Sequence, residues 1–161
     1  MDLRTLRDVP GEEAHRGRIA YMGPLGRLGS DRPRTKLDLT IYETLVLPPK
    51  HRSVNHPYSD AEGLSLTVPV YALDEMLAEK LLAMLRRVRA RDLYDVWQLL
   101  TRYTETLDLE RAGHVLAEKV RFKGFVFGGA TDFPTPENRE IWAQSWEASL
   151  RRQVPVVTEY G

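Results

Sequence analysis

The first half of the chain carries apolar and polar residues in alternation. Across residues 36–42, Leu37, Leu39 and Ile41 fall on one face, while Asp38 falls on the other. A period of two is typical of a half-buried strand. We therefore predict a strand here, with Asp38 pointing away from the apolar face.

Two further segments have strand character. Residues 18–22 and 64–70 are rich in strand-forming side chains, and Pro69 predicts a strand edge or end because proline cannot donate to a sheet. Residues 48–63 are polar and are predicted to form a long connection. Residues 1–17 show no sustained period and are predicted to be a loop or frayed lead-in.

From Leu73 onward the apolar spacing lengthens to that of a helix. Asp74 is a plausible N-cap for a first helix that ends near Arg89. Three more helices are predicted at about 90–103, 109–122 and 136–153. The buried face of the second helix is predicted to comprise Leu93, Val96, Trp97, Leu100 and Tyr103. Trp97, Trp142 and Trp146 lie at helical spacing with aliphatic residues, which favours core packing over the alternative of base stacking.

Strands come first and helices follow, without alternating strand–helix–strand units. This order favours an α+β fold, with a partial mixed or antiparallel sheet followed by a C-terminal helical bundle. The predicted organisation is a polar lead-in at 1–17, a strand-rich part at 18–72, a helical domain at 73–153 and a tail at 154–161.

Composition narrows the classes of function. Among 161 residues, 23 basic and 23 acidic side chains balance, so the chain lacks the net field of a general polyanion binder. The absence of cysteine excludes disulfides and thiolate chemistry. The sequence shows neither a secretory leader nor a long apolar run, which predicts a cytoplasmic protein without a membrane segment.

The densest chemistry lies around the junction of the first two predicted helices. Lys80 lies on the first, while Asp92 and Asp95 share one face of the second. A lysine facing two carboxylates suits a phosphate clamp beside an acidic group, and it equally suits a structural ion pair. The same residues also suit a structural role: Asp92 would interact with the helix dipole, Asp95 would pair with Arg91, and Lys80 would be solvated.

A family resemblance bears on this choice. The string AEKLLAMLRRVRARDLYDVWQLL, residues 78–100, resembles the helical motif of the AbiEii/AbiGii-type nucleotidyltransferase toxins, whose fold is related to DNA polymerase β. The segments YMGPLG, TKLDLTIYE and YALDEMLAEK are similar to what precedes that motif. The resemblance covers residues 18–103 well and the C-terminal helices weakly.

The resemblance implies transfer of a nucleotide from an NTP, with Mg²⁺, to an RNA or protein acceptor, by the toxin of a toxin–antitoxin or abortive-infection system. It implies that Asp38 is the third carboxylate of the site and a metal ligand. Lys80 would contact the phosphates, and Asp92 and Asp95 would be an acidic pair that orients metal, nucleotide or lysine. An antitoxin protein is an implied partner.

The chain departs from the family pattern at its first acids. Such enzymes carry a Gly-Ser loop followed by Asp-x-Asp, and the nearest match here is Gly29-Ser30 followed by Lys36-Leu37-Asp38. Lys36 stands where the first acid would be. We therefore expect the segment with the loop and the first acids to lie upstream, outside this chain, and the chain alone to be inactive.

A basic cluster adds a second hypothesis. It is expected either to contact a triphosphate or a tRNA-like acceptor or to form a solvated helix face. Its members are Arg86, Arg87, Arg89 and Arg91. On the alternative hypothesis, the chain is a non-catalytic remnant or interaction module that binds RNA or an antitoxin protein.

Overall fold

The computed structural model shows strands followed by helices. It describes residues 2–6, 14–22, 32–40, 42–59, 62–63, 65–133 and 135–160, and it divides into two units, residues 1–44 and 45–161. Every strand pair in these described ranges is antiparallel. The predicted α+β class with a helical C-terminal region is confirmed.

The first unit contains a three-stranded sheet. The strands β1 (Asp2–Leu6), β2 (Ala14–Ala20) and β3 (Arg34–Thr40) lie in the order β1-β2-β3. The loop predicted for 1–17 is wrong, since this stretch contains β1 and the start of β2. The pairing of β1 rests on backbone hydrogen bonds to β2, which need no apolar alternation.

The second unit begins with a two-stranded sheet. β4 (Lys50–Ser53) pairs with β5 (Thr67–Val70), and Pro69 lies opposite His51. Both strands of a two-stranded sheet are edges, which accommodates Pro69 as predicted. β4 was not predicted within 48–63, because all four of its side chains are exposed and show no alternation.

Four helices follow, close to the predicted bounds. They are α1 (Leu73–Arg86), α2 (Ala90–Arg102), α3 (Leu109–Lys123) and α4 (Pro136–Leu150), with a short 3₁₀ turn at Ala130–Asp132. Asp108 caps α3 by accepting from the Arg111 N–H at 2.9 Å, and Gly124 ends it at φ 71°. That left-handed conformation suits glycine, which has no Cβ to clash.

Helix α1 lies between the other helices of the unit. One of its faces packs on α3 through Ala78, Leu82 and the α3 residues Val115 and Leu116. A second face packs toward α2, which in turn contacts α4, where Trp142, Trp146 and Leu150 are buried. Because α1 contacts both α2 and α3, its register sets what each neighbour can meet.

The buried face of α2 differs from the prediction. Its buried residues are Ala90, Asp92, Val96 and Leu99, whereas Trp97, Leu100 and Tyr103 are exposed. The Asp92 carboxylate lies on the buried face of α2. A prediction from apolar residues alone therefore places that face about one residue too far along the helix. The core prediction is confirmed for Trp142 and Trp146 and wrong for Trp97, which is 42% exposed.

Asp74 is not the N-cap of α1. The N-cap is Ala72, and Asp74 is buried in the first turn. Its carboxylate accepts from the Asp108 N–H at 2.9 Å and from Arg111 Nε at 2.7 Å. The first turn of α1 is thereby attached to the start of α3.

A buried lysine joins the same two helices one turn further along. Lys119 of α3 is 1% exposed, and its Nζ lies 2.6 Å from Glu75 Oε1 and 2.5 Å from Glu79 Oε1. Glu75 also accepts from the Val46 and Leu47 N–H groups at 3.2 and 2.9 Å. One ammonium thus holds α1 and α3 together, and through Glu75 it also anchors the segment that leads into β4.

Replacing Lys119 should destabilise the protein strongly. In Lys119→Ala, two carboxylates lose their buried counter-charge, which costs about 3–5 kcal/mol of unfolding free energy. The exposed Arg121→Ala on the same helix should change it by less than about 0.5 kcal/mol. Urea denaturation of both variants checks this, and a loss below about 1 kcal/mol in Lys119→Ala would contradict the role given to the ammonium.

The same cluster predicts a dependence on alkaline pH. Burial lowers the pKa of Lys119, but the hydrogen bonds that it donates to Glu75 and Glu79 outweigh burial and raise the pKa above its ordinary 10.5. A raised pKa means that the stabilising contribution is complete below the unfolded value and is lost as pH rises through the folded value. The stability difference between wild type and Lys119→Met should therefore narrow only above about pH 10.5. Unfolding free energies between pH 8 and 12 measure it.

Candidate functional site

Lys80 and Asp95 form an ion pair that joins α1 to α2. Lys80 Nζ lies 2.6 Å from Asp95 Oδ2, and the two side chains are 34% and 40% exposed. Lys80 thus faces Asp95 but not Asp92, and the partner of Asp95 is Lys80 and not Arg91; this pair fits both a phosphate clamp and a structural ion pair. An ion pair that remains accessible to solvent can exchange its partner for an anionic ligand at little cost, because neither charge is fully desolvated.

Asp92 lies one turn away in a different environment. Its carboxylate is 1% exposed and accepts from Arg87 Nε at 2.8 Å and from Arg87 Nη2 at 3.0 Å. Arg87 belongs to the short connection between α1 and α2, so this two-point hydrogen bond fixes the angle at which the second helix starts. The carboxylate also lies in the first turn of α2, where the helix dipole favours a negative charge.

The four arginines of the basic cluster have different surroundings. Arg87 is bound to Asp92, and the Arg86 guanidinium lies 5.5 Å from the centre of the Phe125 ring. Arg89, the N-cap residue of α2, is exposed and Arg91 is half-buried. Within the described part of the chain, neither Arg89 nor Arg91 has a carboxylate partner. Two of the four cations are therefore available for an anionic ligand.

Asp38 lies in the three-stranded unit. It stands opposite Arg16 in the register of β2 and β3, and Arg16 Nε donates to Asp38 Oδ1 at 2.7 Å. Both side chains are well exposed. The candidate loop Gly29-Ser30 lies outside the described residues.

The described residues do not supply a complete magnesium site. Mg²⁺ in nucleotide-transferring enzymes is held by carboxylates together with substrate phosphates. No group of three metal-ligating side chains occurs among the described residues, and the Asp38 carboxylate is paired with a guanidinium that repels a cation. No metal-dependent step therefore follows from the described residues alone.

The sequence analysis missed the buried charges that hold this site in place. Asp74, Glu75 and Glu79 lie on the faces of α1 that pack inward, and their partners, Arg111 and Lys119, come from α3. Charged residues at core positions of a helical period are the sequence feature that could have revealed them. Glu79 binds Lys119 while its neighbour Lys80 turns toward α2, so the buried cluster fixes the rotation of α1 that presents Lys80 to Asp95.

Comparison with known proteins identifies a family. A family model described as nucleotidyl transferase AbiEii toxin, type IV TA system, matches residues 4–160, nearly the whole chain. No curated protein and no solved structure matches. Within the described residues, no helix is both long enough and apolar enough to cross a bilayer.

The two aspartates should differ in their effect on stability. Asp92→Asn loses a charged, two-point hydrogen bond at a buried position and should cost about 2 kcal/mol of unfolding free energy. Asp95→Asn loses only a half-exposed ion pair and should cost less than about 1 kcal/mol. Chemical denaturation of the two variants side by side measures both losses, and equal losses would contradict the separate roles assigned here.

Proposed function

Because the chain belongs to the AbiEii nucleotidyl transferase toxin family, we propose that it takes part in transferring a nucleotide from an NTP to an RNA or protein acceptor, as the toxin of a toxin–antitoxin pair. The cytoplasm, where NTPs and acceptors are present, is the proposed location. An antitoxin protein is the proposed macromolecular partner.

The observation that carries this proposal is the accessible Lys80–Asp95 pair between two rigidly attached helices. We assign Lys80 to the NTP phosphates, where an ammonium neutralises the charge that develops during phosphoryl transfer. Asp95 holds the ammonium in place before the nucleotide binds. Asp92 acts indirectly, because its bond to Arg87 sets the position of α2 and therefore of Asp95.

A divalent metal is a general feature of nucleotidyl transfer, and we propose Mg²⁺ for this family member too. Asp38 is the proposed third carboxylate, which requires that Arg16 release it. The first two acids have no counterpart in the described residues. We propose that another segment or polypeptide supplies them and that this chain by itself does not catalyse transfer.

A second candidate function is a non-catalytic module that binds RNA or an antitoxin. It is favoured by Arg89 and Arg91, which lie beside the α1–α2 connection without carboxylate partners in the described ranges. In the enzyme hypothesis these cations would meet the triphosphate or a tRNA-like acceptor. In the module hypothesis they bind the same polyanion without chemistry, and binding falls as salt rises.

Nucleotide binding tests the role of Lys80. Titration of Mg²⁺–NTP into the chain, followed by calorimetry, should give weak saturable binding that weakens about tenfold in Lys80→Ala, because one charged hydrogen bond to phosphate is lost. Lys80→Arg should retain most of the affinity. Lys50→Ala, which removes an exposed lysine on β4, serves as the control and should bind like wild type.

Two results would contradict the proposal. Equal affinity in wild type and Lys80→Ala would remove Lys80 from the site. Metal-dependent incorporation of labelled NTP into RNA by this chain alone would show that the first acids are not missing. Binding of RNA without any binding of Mg²⁺–NTP would favour the non-catalytic module instead.

A further inference from the structure

An open groove runs along α2 in the helical unit. It has a volume of about 720 Å³ and is lined by Tyr94, Trp97 and Tyr103 on the helix side and by Val154 and Thr158 on the other. Trp97 and Tyr103 are both more than two-fifths exposed. The Trp97 ring packs against Tyr94 with 5.7 Å between centroids, and its exposed part is open to a ligand in the groove.

The wall formed by the C-terminal segment is fixed in place. Trp146 Nε1 donates to the Thr158 carbonyl oxygen at 2.7 Å, and the Tyr160 ring packs edge-on against Trp146 with 5.3 Å between centroids. On the other side, the Tyr94 ring packs against the same indole at 6.0 Å. Both walls of the groove therefore contact the same buried residue, Trp146, which holds them in place.

The charge of the groove selects its ligand. Among the described residues that line it, Arg102 alone is charged, and Arg102 has no carboxylate partner in the described part of the chain. Gln98 adds an amide able both to donate and to accept hydrogen bonds. The lining thus offers stacking faces, one cation and one amide, which together match a nucleobase and its phosphate.

The number of cations distinguishes between sources of that nucleotide. A free NTP carries a triphosphate that one guanidinium cannot neutralise, whereas one phosphodiester requires one positive charge. An open groove also lets a strand enter and leave at its ends. These features favour a nucleotide within single-stranded RNA over a free NTP.

The groove adjoins the candidate site. Tyr94, Gln98 and Arg102 form one row along α2 at spacings of four residues, and Asp95 lies beside that row. Seven residues separate Asp95 from Arg102, which corresponds to about 10 Å along the helix axis. A phosphate held by Arg102 would therefore lie about two helical turns along α2 from the Asp95 partner of Lys80.

We infer that the groove between α2 and the segment 154–158 binds an unpaired nucleotide of single-stranded RNA. The base stacks on Trp97 and the flanking tyrosines, and Arg102 holds the phosphate. The identification of this RNA as the acceptor rests on the proposed function; the binding of RNA by the groove does not.

The test measures binding of fluorescein-labelled oligoadenylate, six nucleotides long, by fluorescence anisotropy. Trp97→Ala should weaken binding about tenfold and Trp97→Phe much less, because the stacking face is lost only in the first variant. Arg102→Gln should weaken binding and lower the slope of log affinity against log salt by about 0.7, the value of one phosphate contact. Arg121→Gln on α3, which is exposed and paired with Glu118, should change neither quantity.

The choice of ligand separates this inference from the proposed function: loss of oligonucleotide binding in Trp97→Ala tests the groove, whereas loss of Mg²⁺–NTP binding in Lys80→Ala tests the proposed function. Unchanged RNA binding in both Trp97→Ala and Arg102→Gln, together with a loss in Arg89→Gln, would overturn the inference and place RNA at the α1–α2 connection. A glutamate-rich hexapeptide that binds with the same Arg102 dependence and displaces the RNA at equal concentration would also overturn it, in favour of a protein partner. Displacement of the RNA by equimolar ATP would overturn the choice of RNA over free NTP.

Discussion

The helical unit depends on one buried ammonium group. Lys119 neutralises Glu75 and Glu79, two carboxylates that α1 carries on the face toward α3, and no other described cation reaches them. Such a cluster is stable only when each charge keeps its partner, because removal of one member leaves the others desolvated. It therefore fixes the rotation and register of α1 more tightly than apolar packing alone, which tolerates sliding.

That fixed rotation determines which charges remain accessible. Glu79 points toward α3, where it contacts Lys119, and its neighbour Lys80 points toward α2, so the contact of Glu79 with α3 places Lys80 beside Asp95. A similar division occurs on α2, where Asp92 is buried against Arg87 and Asp95 is half-exposed. In both helices a structural charge lies next to an available one, which is why the sequence motif contains acidic and basic residues so close together.

The sequence was sufficient for the helices because their apolar periods are long and regular, and each helix begins and ends within a few residues of its predicted bounds. It was also sufficient to bring Lys80 near Asp95. The sequence was insufficient where partners are distant in sequence or where charge is buried. The strands β1 and β4 depend on neighbouring strands, and the Lys119 cluster joins residues about forty positions apart. The buried Asp92 shifted the predicted buried face of α2. The same shift explains why Trp97 was predicted to be buried although it is exposed.

The attachment of the C-terminal segment has a consequence for the order in which the protein matures. Chains are synthesised from the N-terminus, and their earlier parts begin to fold first. Helices α1 to α3 and their charge cluster are complete once Lys123 has emerged from the ribosome, whereas the Trp146 indole gains its acceptor only when Thr158 follows. A nascent chain of this length therefore contains both partners of the Lys80–Asp95 pair but not yet the segment that forms the second wall beside Trp97 and Arg102.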